Sequence, residues 1–138
     1  MKPVIFDTGP LVAWFCPRDA HHLWARRTFT QIPPGGFICE ATLTEVCHLT
    51  AKDGVARGKV LDFIERGGLT WLSLAGELHA LRELLDRYKD APMDFADACV
   101  VRLAELYPDT MVCTLDGQFR FFRKSGREVI PLLAPFGA

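Results

Sequence analysis

Acidic residues in this sequence recur at positions where a run of apolar residues begins or ends. Asp7 directly follows the apolar run "VIF", and Asp116 directly follows the segment "TMVCTL". Glu45 lies a few residues beyond the segment "GFIC", and Asp94 and Asp97 open the long apolar segment "DFADACVVRLAELY". Short apolar runs bounded by turn residues are typical of buried strands. These five acids therefore stand where the chain leaves strands or enters helices.

Carboxylates that converge on one place favour the binding of a hard divalent cation. Neighbouring carboxylates repel each other and raise each other's pKa values unless a cation offsets their charge. Mg²⁺ and Mn²⁺ prefer carboxylate oxygens and keep water ligands that can face substrate phosphates. The sequence shows no accompanying set of His and Cys ligands at zinc spacing, because the neighbouring Cys47 and His48 fit such spacings poorly. A Mg²⁺ or Mn²⁺ ion can activate water and neutralise a phosphate, so the predicted chemistry is phosphodiester hydrolysis.

Each acid also has a purely structural explanation. Asp7 stands just before a Gly-Pro pair, which fits the start of a helix. The segments "TLTE" and "DFAD" match the capping-box pattern, and Asp116 before a glycine fits a turn. Taken one at a time, capping is the commoner role for such residues. The joint pattern, with four or five acids at one edge of a sheet, favours a metal site.

The surrounding pattern predicts an α/β fold that would bring these acids together. Strands are predicted in "PVIF", "GFIC", "LTWLSL", "TMVCTL" and "EVIPLL", with Pro131 pushing the last toward an edge of the sheet. Helices are predicted in "PLVAWF", "HHLWARRTFTQI", "LTEVCHLTA", "VARGKVLDFIER", "GELHALRELLDRYK" and "DFADACVVRLAELY", with a short one around "GQFRFFRK". Alternation of this kind predicts a three-layer α/β/α domain with a parallel sheet of four to five short strands. Parallel sheets place functional groups beyond the carboxyl ends of their strands.

Length and composition predict a single soluble domain over residues 1–138. The 138 residues are enough for one hydrophobic core, and no apolar run is long enough to span a bilayer. The five cysteines are odd in number and lack a CxxC spacing, which favours buried free thiols in a reducing cytoplasm. We therefore expect a cytoplasmic protein with no membrane contact.

The net charge of −1 excludes recruitment of nucleic acid by bulk charge. A polyanion would have to be held by a local basic patch or through a metal ion. The segment "FRFFRKSGRE" provides one such patch with Arg120, Arg123, Lys124 and Arg127. A solvated basic face is the simpler explanation on charge alone. The closeness of the patch to Asp116 nevertheless suggests Arg120, Arg123 and Lys124 as substrate contacts, because a nucleic-acid backbone near the site needs cations.

Four segments resemble, in order and spacing, the motifs of PIN domains, the fold of many VapC-type toxin ribonucleases. These segments are "VIFDTGPLVA", "TLTEVCHL", "PMDFADACVVRLAE" and "TLDGQFRFFR", and together they span nearly the whole chain. The resemblance implies that Asp7, Glu45, Asp97 and Asp116 form the acidic catalytic and metal site. It also implies supporting hydroxyls from Thr8 and Thr114 and an additional acid at Asp94.

The resemblance further implies Mg²⁺- or Mn²⁺-dependent cleavage of single-stranded RNA by a homodimer that a small antitoxin protein inhibits. PIN domains also act in RNA processing and decay, and a non-catalytic relative could bind RNA or protein, so both alternatives stay open. Two other enzyme classes are less consistent with the residues. The single Asp-Thr-Gly of this chain lacks the second aspartate of an aspartic protease, and Gly9 occupies the position where a phosphatase using Asp7 as nucleophile would usually have a second acid.

Overall fold

Five strands of two or three residues form one parallel sheet. The structure, a computed structural model, describes residues 1–136. Numbered along the chain, the strands are β1 (Val4–Phe6), β2 (Gly36–Ile38), β3 (Leu69–Trp71), β4 (Met111–Cys113), β5 (Arg123–Lys124), β6 (Glu128–Val129) and β7 (Leu132–Leu133). The sheet has the order β3-β2-β1-β4-β7, and β5 and β6 form a separate antiparallel pair. Strands β1 and β4 are therefore neighbours at the centre of the sheet.

Helices cover both faces of this sheet, which confirms the predicted three-layer α/β/α arrangement. They are α1 (Thr8–Phe15), α2 (His22–Phe29), α3 (Glu40–Lys52), α4 (Lys59–Glu65), α5 (Leu78–Arg87) and α6 (Phe95–Leu106). Neighbouring residues of a strand point to opposite faces. Ile5 accordingly packs in the core beneath α5 and α6, whereas Val4 and Phe6 pack in the core beneath α1 to α4. None of the helices within residues 1–136 has the length and apolar character needed to cross a bilayer.

Strand β1 and helix α6 are both buried, and each is next to one of the acids singled out in the sequence. All three residues of β1 are buried, because helices cover the strand from both sides. Helix α6 buries Ala98, Cys99, Val100 and Val101 in succession, as its nearly continuous apolar sequence predicted. The cysteines of the chain are free thiols, and all except the half-buried Cys47 are buried. Burial of these elements fixes the ends at which acids lie.

The C-terminal region differs from the prediction in two places. The segment "EVIPLL" divides into β6 in the hairpin and β7 at the edge of the main sheet, with Pro131 between them. The edge position of β7 confirms the expected effect of that proline. The helix predicted around "GQFRFFRK" is wrong in its second half, because a one-turn 3₁₀ helix ends at Arg120 and β5 follows. Positive φ angles at Ser125 (51°) and Gly126 (83°) form the turn of the hairpin between β5 and β6.

Candidate active site

The adjacent strands β1 and β4 bring Asp7 and Asp116 to one edge of the sheet. Phe6 pairs with Cys113, and the Asp7 backbone N–H donates to the Cys113 carbonyl at 2.9 Å. The Thr114 hydroxyl donates to Oδ2 of Asp7 at 2.7 Å and accepts from the Asp116 backbone N–H at 2.9 Å. One threonine therefore fixes the carboxylate after β1 and the backbone after β4.

Asp7 and Asp116 differ in whether the side chain caps the helix that follows it. Asp7 occupies the N-cap position of α1, but its side chain makes no capping hydrogen bond. Its carboxylate is 8% exposed and is oriented by Thr114 instead. Asp116 caps the 3₁₀ helix, since its Oδ1 accepts from the Gln118 backbone N–H at 2.9 Å. Capping therefore explains Asp116 in part and does not explain the Asp7 side chain.

Glu45 does not have the capping role that its sequence pattern suggested. Helix α3 begins at Glu40 with Cys39 as its N-cap, so Thr42 and Glu45 lie inside the helix and the "TLTE" capping box is wrong. Half-buried Glu45 instead accepts a hydrogen bond at Oε1 from the Thr8 hydroxyl at 2.9 Å. Thr8 is in the first turn of α1, directly after Asp7. The contact therefore brings the Glu45 carboxylate beside the end of β1.

Asp94 and Asp97 open α6 as the capping box that "DFAD" predicted. Oδ1 of Asp94 accepts from the Asp97 backbone N–H at 2.8 Å, and Oδ2 of Asp97 accepts from the Asp94 backbone N–H at 3.1 Å. The Asp94 side chain is exposed and engaged in the cap. Asp97 is half-buried, and the charges of Asp7 and Asp116 contribute to raising its pKa. The start of α6 therefore adds one carboxylate to the edge shared by β1 and β4.

The charges of neighbouring carboxylates contribute to raised pKa values at Asp7 and Asp97. Burial is the largest cause that raises the pKa of Asp7, and the charges of Asp116 and Glu45 raise it further, against a lowering by the Thr114 hydrogen bond. Burial likewise raises the pKa of Asp97 to about 7, with added repulsion from Asp94, Asp7 and Asp116 and an opposing hydrogen bond from the Asp94 backbone. Mutual repulsion of this kind requires that the carboxylates be near one another.

This group of acids has no cation of its own in the described part of the chain. None of the ion pairs formed by residues 1–136 involves Asp7, Glu45, Asp97 or Asp116. Nor do three His, Cys, Asp or Glu side chains within that range already enclose a point that could hold a metal ion. The donor set itself consists of carboxylate oxygens, which fit Mg²⁺ or Mn²⁺ and not a soft metal. The acids therefore lie at one edge of the sheet, and no positively charged side chain among residues 1–136 forms an ion pair with them.

The basic patch is divided by the fold, and Lys124 requires a correction. The Lys124 side chain is 5% exposed, and its Nζ donates to the Pro108 carbonyl at 2.8 Å. This buried amine ties β5 to the segment between α6 and β4 and is not exposed for contact with a substrate. Arg123 is half-buried and donates to the carbonyls of Arg120 and Phe122. Arg120 is the member that is exposed and lies on the 3₁₀ helix capped by Asp116.

Comparison with known families identifies the fold. The family model described as "PIN domain" matches residues 4–124, a range that includes all the acids discussed above and both threonines. The chain belongs to the PIN domain family. The resemblance inferred from the four sequence motifs is thereby confirmed. No curated protein sequence matches the chain significantly.

The fold of this PIN domain is similar to that of a solved toxin. The crystal structure of VapC20 from Mycobacterium tuberculosis, described as a toxin that cleaves the sarcin-ricin loop, aligns with a TM-score of 0.73. The alignment covers 83% of this chain and 90% of VapC20, at 21% sequence identity. The likeness at this identity is one of architecture. It confirms the predicted fold class, a parallel sheet flanked by helices.

Two further features of the surface are not predicted from the spacing of the acids in the sequence. The ring of Phe121 is 64% exposed next to Arg120, and the alternation of aromatic and basic residues in "FRFFRK" is the signal that could have indicated it. A cavity of about 380 Å³ lies on the sheet face covered by α1, α2 and α4. Its walls include Trp14, Phe29 and Phe63 and none of the acids, so it is separate from the candidate active site.

Proposed function

We propose that this PIN domain is a Mg²⁺- or Mn²⁺-dependent endoribonuclease and the toxin of a toxin–antitoxin pair. One observation carries the proposal: carboxylates from the ends of β1 and β4, from α3 and from the start of α6 share one edge without a cation of their own. PIN domain membership and the architectural likeness to a ribonuclease toxin support the choice of RNA as substrate.

We assign Asp7, Asp97 and Asp116 as metal ligands, with Glu45 as a further catalytic carboxylate and Asp94 as a helix cap that orients Asp97. When bound, a divalent ion would supply a Lewis acid that activates water and offsets phosphate charge. Thr114 holds the Asp7 carboxylate in position, and Thr8 does the same for Glu45. A carboxylate oriented in this way is suited to accept the proton of the attacking water.

Burial of Asp7 also makes the binding of a cation at the proposed site more favourable. Its pKa is raised by burial and by neighbouring carboxylates, so the metal-free protein holds these negative charges at a cost in free energy. A divalent cation removes that cost, which couples ion binding to the charges of the site. The hydroxyls of Thr8 and Thr114 hold the carboxylates without adding charge. This donor set therefore has the chemistry expected of a hard-metal site.

The remaining parts of the proposal concern assembly and context. We propose that residues 1–138 act as one domain, that two copies form a homodimer, and that a small antitoxin protein inhibits it in the cytoplasm. Single-stranded RNA is the proposed substrate. These parts rest on family membership and on the likeness to a VapC toxin, not on a contact within the chain.

The proposed chemistry is tested by metal dependence and by the ends of the products. The purified protein should cleave single-stranded RNA with Mg²⁺ or Mn²⁺, lose that activity in EDTA and regain it when the ion is restored. Product ends should be 5′-phosphate and 3′-hydroxyl, because water is the attacking nucleophile. Cyclic 2′,3′-phosphate ends would require attack by the ribose hydroxyl and would exclude the mechanism.

Calorimetric titration with Mn²⁺ separates the nuclease from a non-catalytic relative. Binding that disappears in Asp7→Asn and persists in Asp109→Asn supports the assigned ligands, since Asp109 precedes β4 at the opposite end of the sheet. The Asp109 side chain is 91% exposed and pairs only loosely with Lys2 at 3.8 Å. Absence of Mn²⁺ binding together with intact RNA binding would favour a binding module. Toxicity on expression, relieved by a cognate antitoxin, tests the biological role.

A further inference from the structure

The guanidinium of Arg120 is held by aromatic rings and not by a carboxylate. Its Cζ lies 5.7 Å from the centroid of the Phe121 ring and 5.2 Å from that of Phe136. Its Nε donates to the Gly117 carbonyl at 3.1 Å, and no ion pair among residues 1–136 involves it. Contacts with rings and one carbonyl orient the guanidinium while leaving its charge uncompensated. Arg120 is therefore a cation available to an anionic ligand.

The position of Arg120 connects it to the acid edge, the sheet edge at which Asp7, Glu45, Asp97 and Asp116 lie. The Arg120 guanidinium folds back over Gly117, where a Cβ atom would lie 3.0 Å from its Nη2. Gly117 directly follows Asp116, a proposed metal ligand. A larger residue at Gly117 would displace the guanidinium, so glycine here permits the close approach. A phosphate contacted by Arg120 would thus lie near the proposed metal site, and not on a remote surface.

Phe121 offers a flat apolar surface at the same place. Its side chain is 64% exposed, while the next residue, Phe122, is buried in the core at 1% exposure. The burial of Phe122 anchors the backbone that carries the exposed ring. A 3₁₀ helix rises about 2.0 Å per residue, so Phe121 lies on the order of 10 Å along the chain from Asp116. That distance is short enough for the ring to contact a nucleotide near the cleaved bond.

We propose that Arg120 and Phe121 form a nucleotide platform for single-stranded RNA, in which the Phe121 ring stacks on a base and Arg120 contacts a phosphate beside it. Bases stack on exposed aromatic rings without requiring a particular sequence, and arginine supplies the accompanying phosphate contact. The platform rests on the proposed ribonuclease function and specifies how its substrate is held. It selects unpaired nucleotides, because a base within a duplex has no free face for the ring.

A binding measurement in EDTA tests the stacking contact separately from cleavage. The probe is a short fluorescein-labelled single-stranded oligouridine, measured by anisotropy with the unmodified protein, Phe121→Ala and Phe121→Trp. Because Phe121→Ala loses one stacking contact, it should bind the probe roughly tenfold more weakly. Phe121→Trp keeps an aromatic ring, so its affinity should be retained or improved. Tyr107→Ala is the matched control, because its ring is 40% exposed at the far end of α6.

Substrates with single abasic positions locate the stacked base. If Phe121 stacks on one base, removal of that base should weaken binding of the unmodified protein but have little further effect on Phe121→Ala. Removal of other bases should affect both proteins equally. Equal and additive losses at every position would overturn the platform. So would a change in molar mass of Phe121→Ala by light scattering, which would assign the ring to a contact between copies.

Salt dependence distinguishes the Arg120 contact from the Phe121 contact. The logarithm of the binding constant should fall with the logarithm of salt concentration, with a slope smaller by about 0.7 in magnitude for Arg120→Gln, as for one lost phosphate contact to a single strand. Phe121→Ala should keep the original slope, because stacking releases no counterions. An unchanged slope for Arg120→Gln would exclude the phosphate contact.

Cleavage assays distinguish failure of the platform from failure of the proposed function. If the unmodified protein cleaves RNA with Mg²⁺ while Phe121→Ala cleaves and binds equally well, only the platform is overturned. If the unmodified protein neither binds nor cleaves RNA, both proposals fail. Thermal unfolding should be nearly unchanged in Phe121→Ala, since the substituted ring is mostly exposed.

Discussion

Two clusters of charged side chains in this PIN domain differ in how their charges are balanced. In the first, Arg102 on α6 donates to Glu77 at 2.7 Å and to Glu105 at 3.1 Å. Burial lowers the pKa of Arg102, but the hydrogen bonds and charges of the two glutamates outweigh this and raise it. In the second, the acid edge, the carboxylates of Asp7, Glu45, Asp97 and Asp116 are held by threonine hydroxyls and backbone N–H groups without any cation in the described residues.

The difference shows which cluster stabilises the fold and which is available for function. The cluster around Arg102 carries its own counterion, and Glu105 also accepts from the Ser125 backbone N–H, so it ties α6 to the hairpin. The acid edge raises the pKa values of Asp7 and Asp97 and thus costs free energy when no ion is bound. Perturbed carboxylates in such a setting are typical of functional sites. Substitutions in the two clusters should therefore change the free energy of unfolding in opposite directions.

The largest expected effect is on cleavage by Asp7→Asn. Loss of one proposed metal ligand should lower the cleavage rate by roughly 10²–10³-fold. The metal-free variant should meanwhile be more stable by about 0.5–2 kcal/mol, because a buried repelling charge is removed at a functional site. Asparagine keeps an oxygen that can accept from Thr114. Initial rates and urea unfolding measure the two effects, with Asp109→Asn as the control; cleavage that survives in Asp7→Asn would contradict the assignment of Asp7.

Arg102→Met should produce the reverse result. Removal of the cation leaves two part-buried glutamates without their partner and should cost about 1–3 kcal/mol of unfolding free energy. Cleavage per folded molecule should be unchanged. Arg66→Met is the matched control: its ion pair with Asp62 is largely exposed, so we expect a change within about 0.5 kcal/mol. A loss of cleavage in folded Arg102→Met would remove the distinction between the clusters.

Thr114→Val tests whether the hydroxyls of the acid edge prepare it for an ion. Loss of the 2.7 Å hydrogen bond to Asp7 should weaken Mn²⁺ binding roughly tenfold, as found for residues that orient metal ligands. Thr110→Val removes another buried hydroxyl, which donates to the Tyr107 carbonyl at 2.6 Å away from the acids. Calorimetric Mn²⁺ titration should show unchanged affinity for Thr110→Val. Equal losses in both variants would indicate a general structural effect.

The last prediction concerns how the stability of the metal-free protein depends on pH. Burial and neighbouring carboxylates raise the pKa of Asp97 from an ordinary 3.8 to about 7. Below 3.8 the group is protonated in both the folded and the unfolded chain, whereas between 3.8 and about 7 only the unfolded chain ionises. Stability should therefore fall as pH rises through this window. Melting temperatures in EDTA should fall less steeply in Asp97→Asn, and an equally steep fall in both proteins would assign the effect elsewhere.

Local sequence patterns predicted those parts of the fold and site whose cause is also local. The buried run "VIF" became β1, and the apolar segment that opens with "DFAD" became α6 with its capping box. The capping box proposed at Thr42 and Glu45 was wrong, because α3 starts earlier at Glu40 and tertiary contacts outweigh a four-residue motif. The metal-ligand role of Asp7, Asp97 and Asp116 and the catalytic role of Glu45 stay predictions that the experiments above test.

The sequence by itself determined the alternation of strands and helices and which side chains could provide carboxylate, hydroxyl or basic groups. Only the tertiary structure decided which charges have partners. Thr114 reaches Asp7 across 107 positions and Thr8 reaches Glu45 across 37, while Lys124 is buried against the Pro108 carbonyl. Hydrophobic periodicity is a short-range property that fixes secondary structure. Burial and charge compensation depend on residues far apart in the chain, so they are decided only when the layers pack.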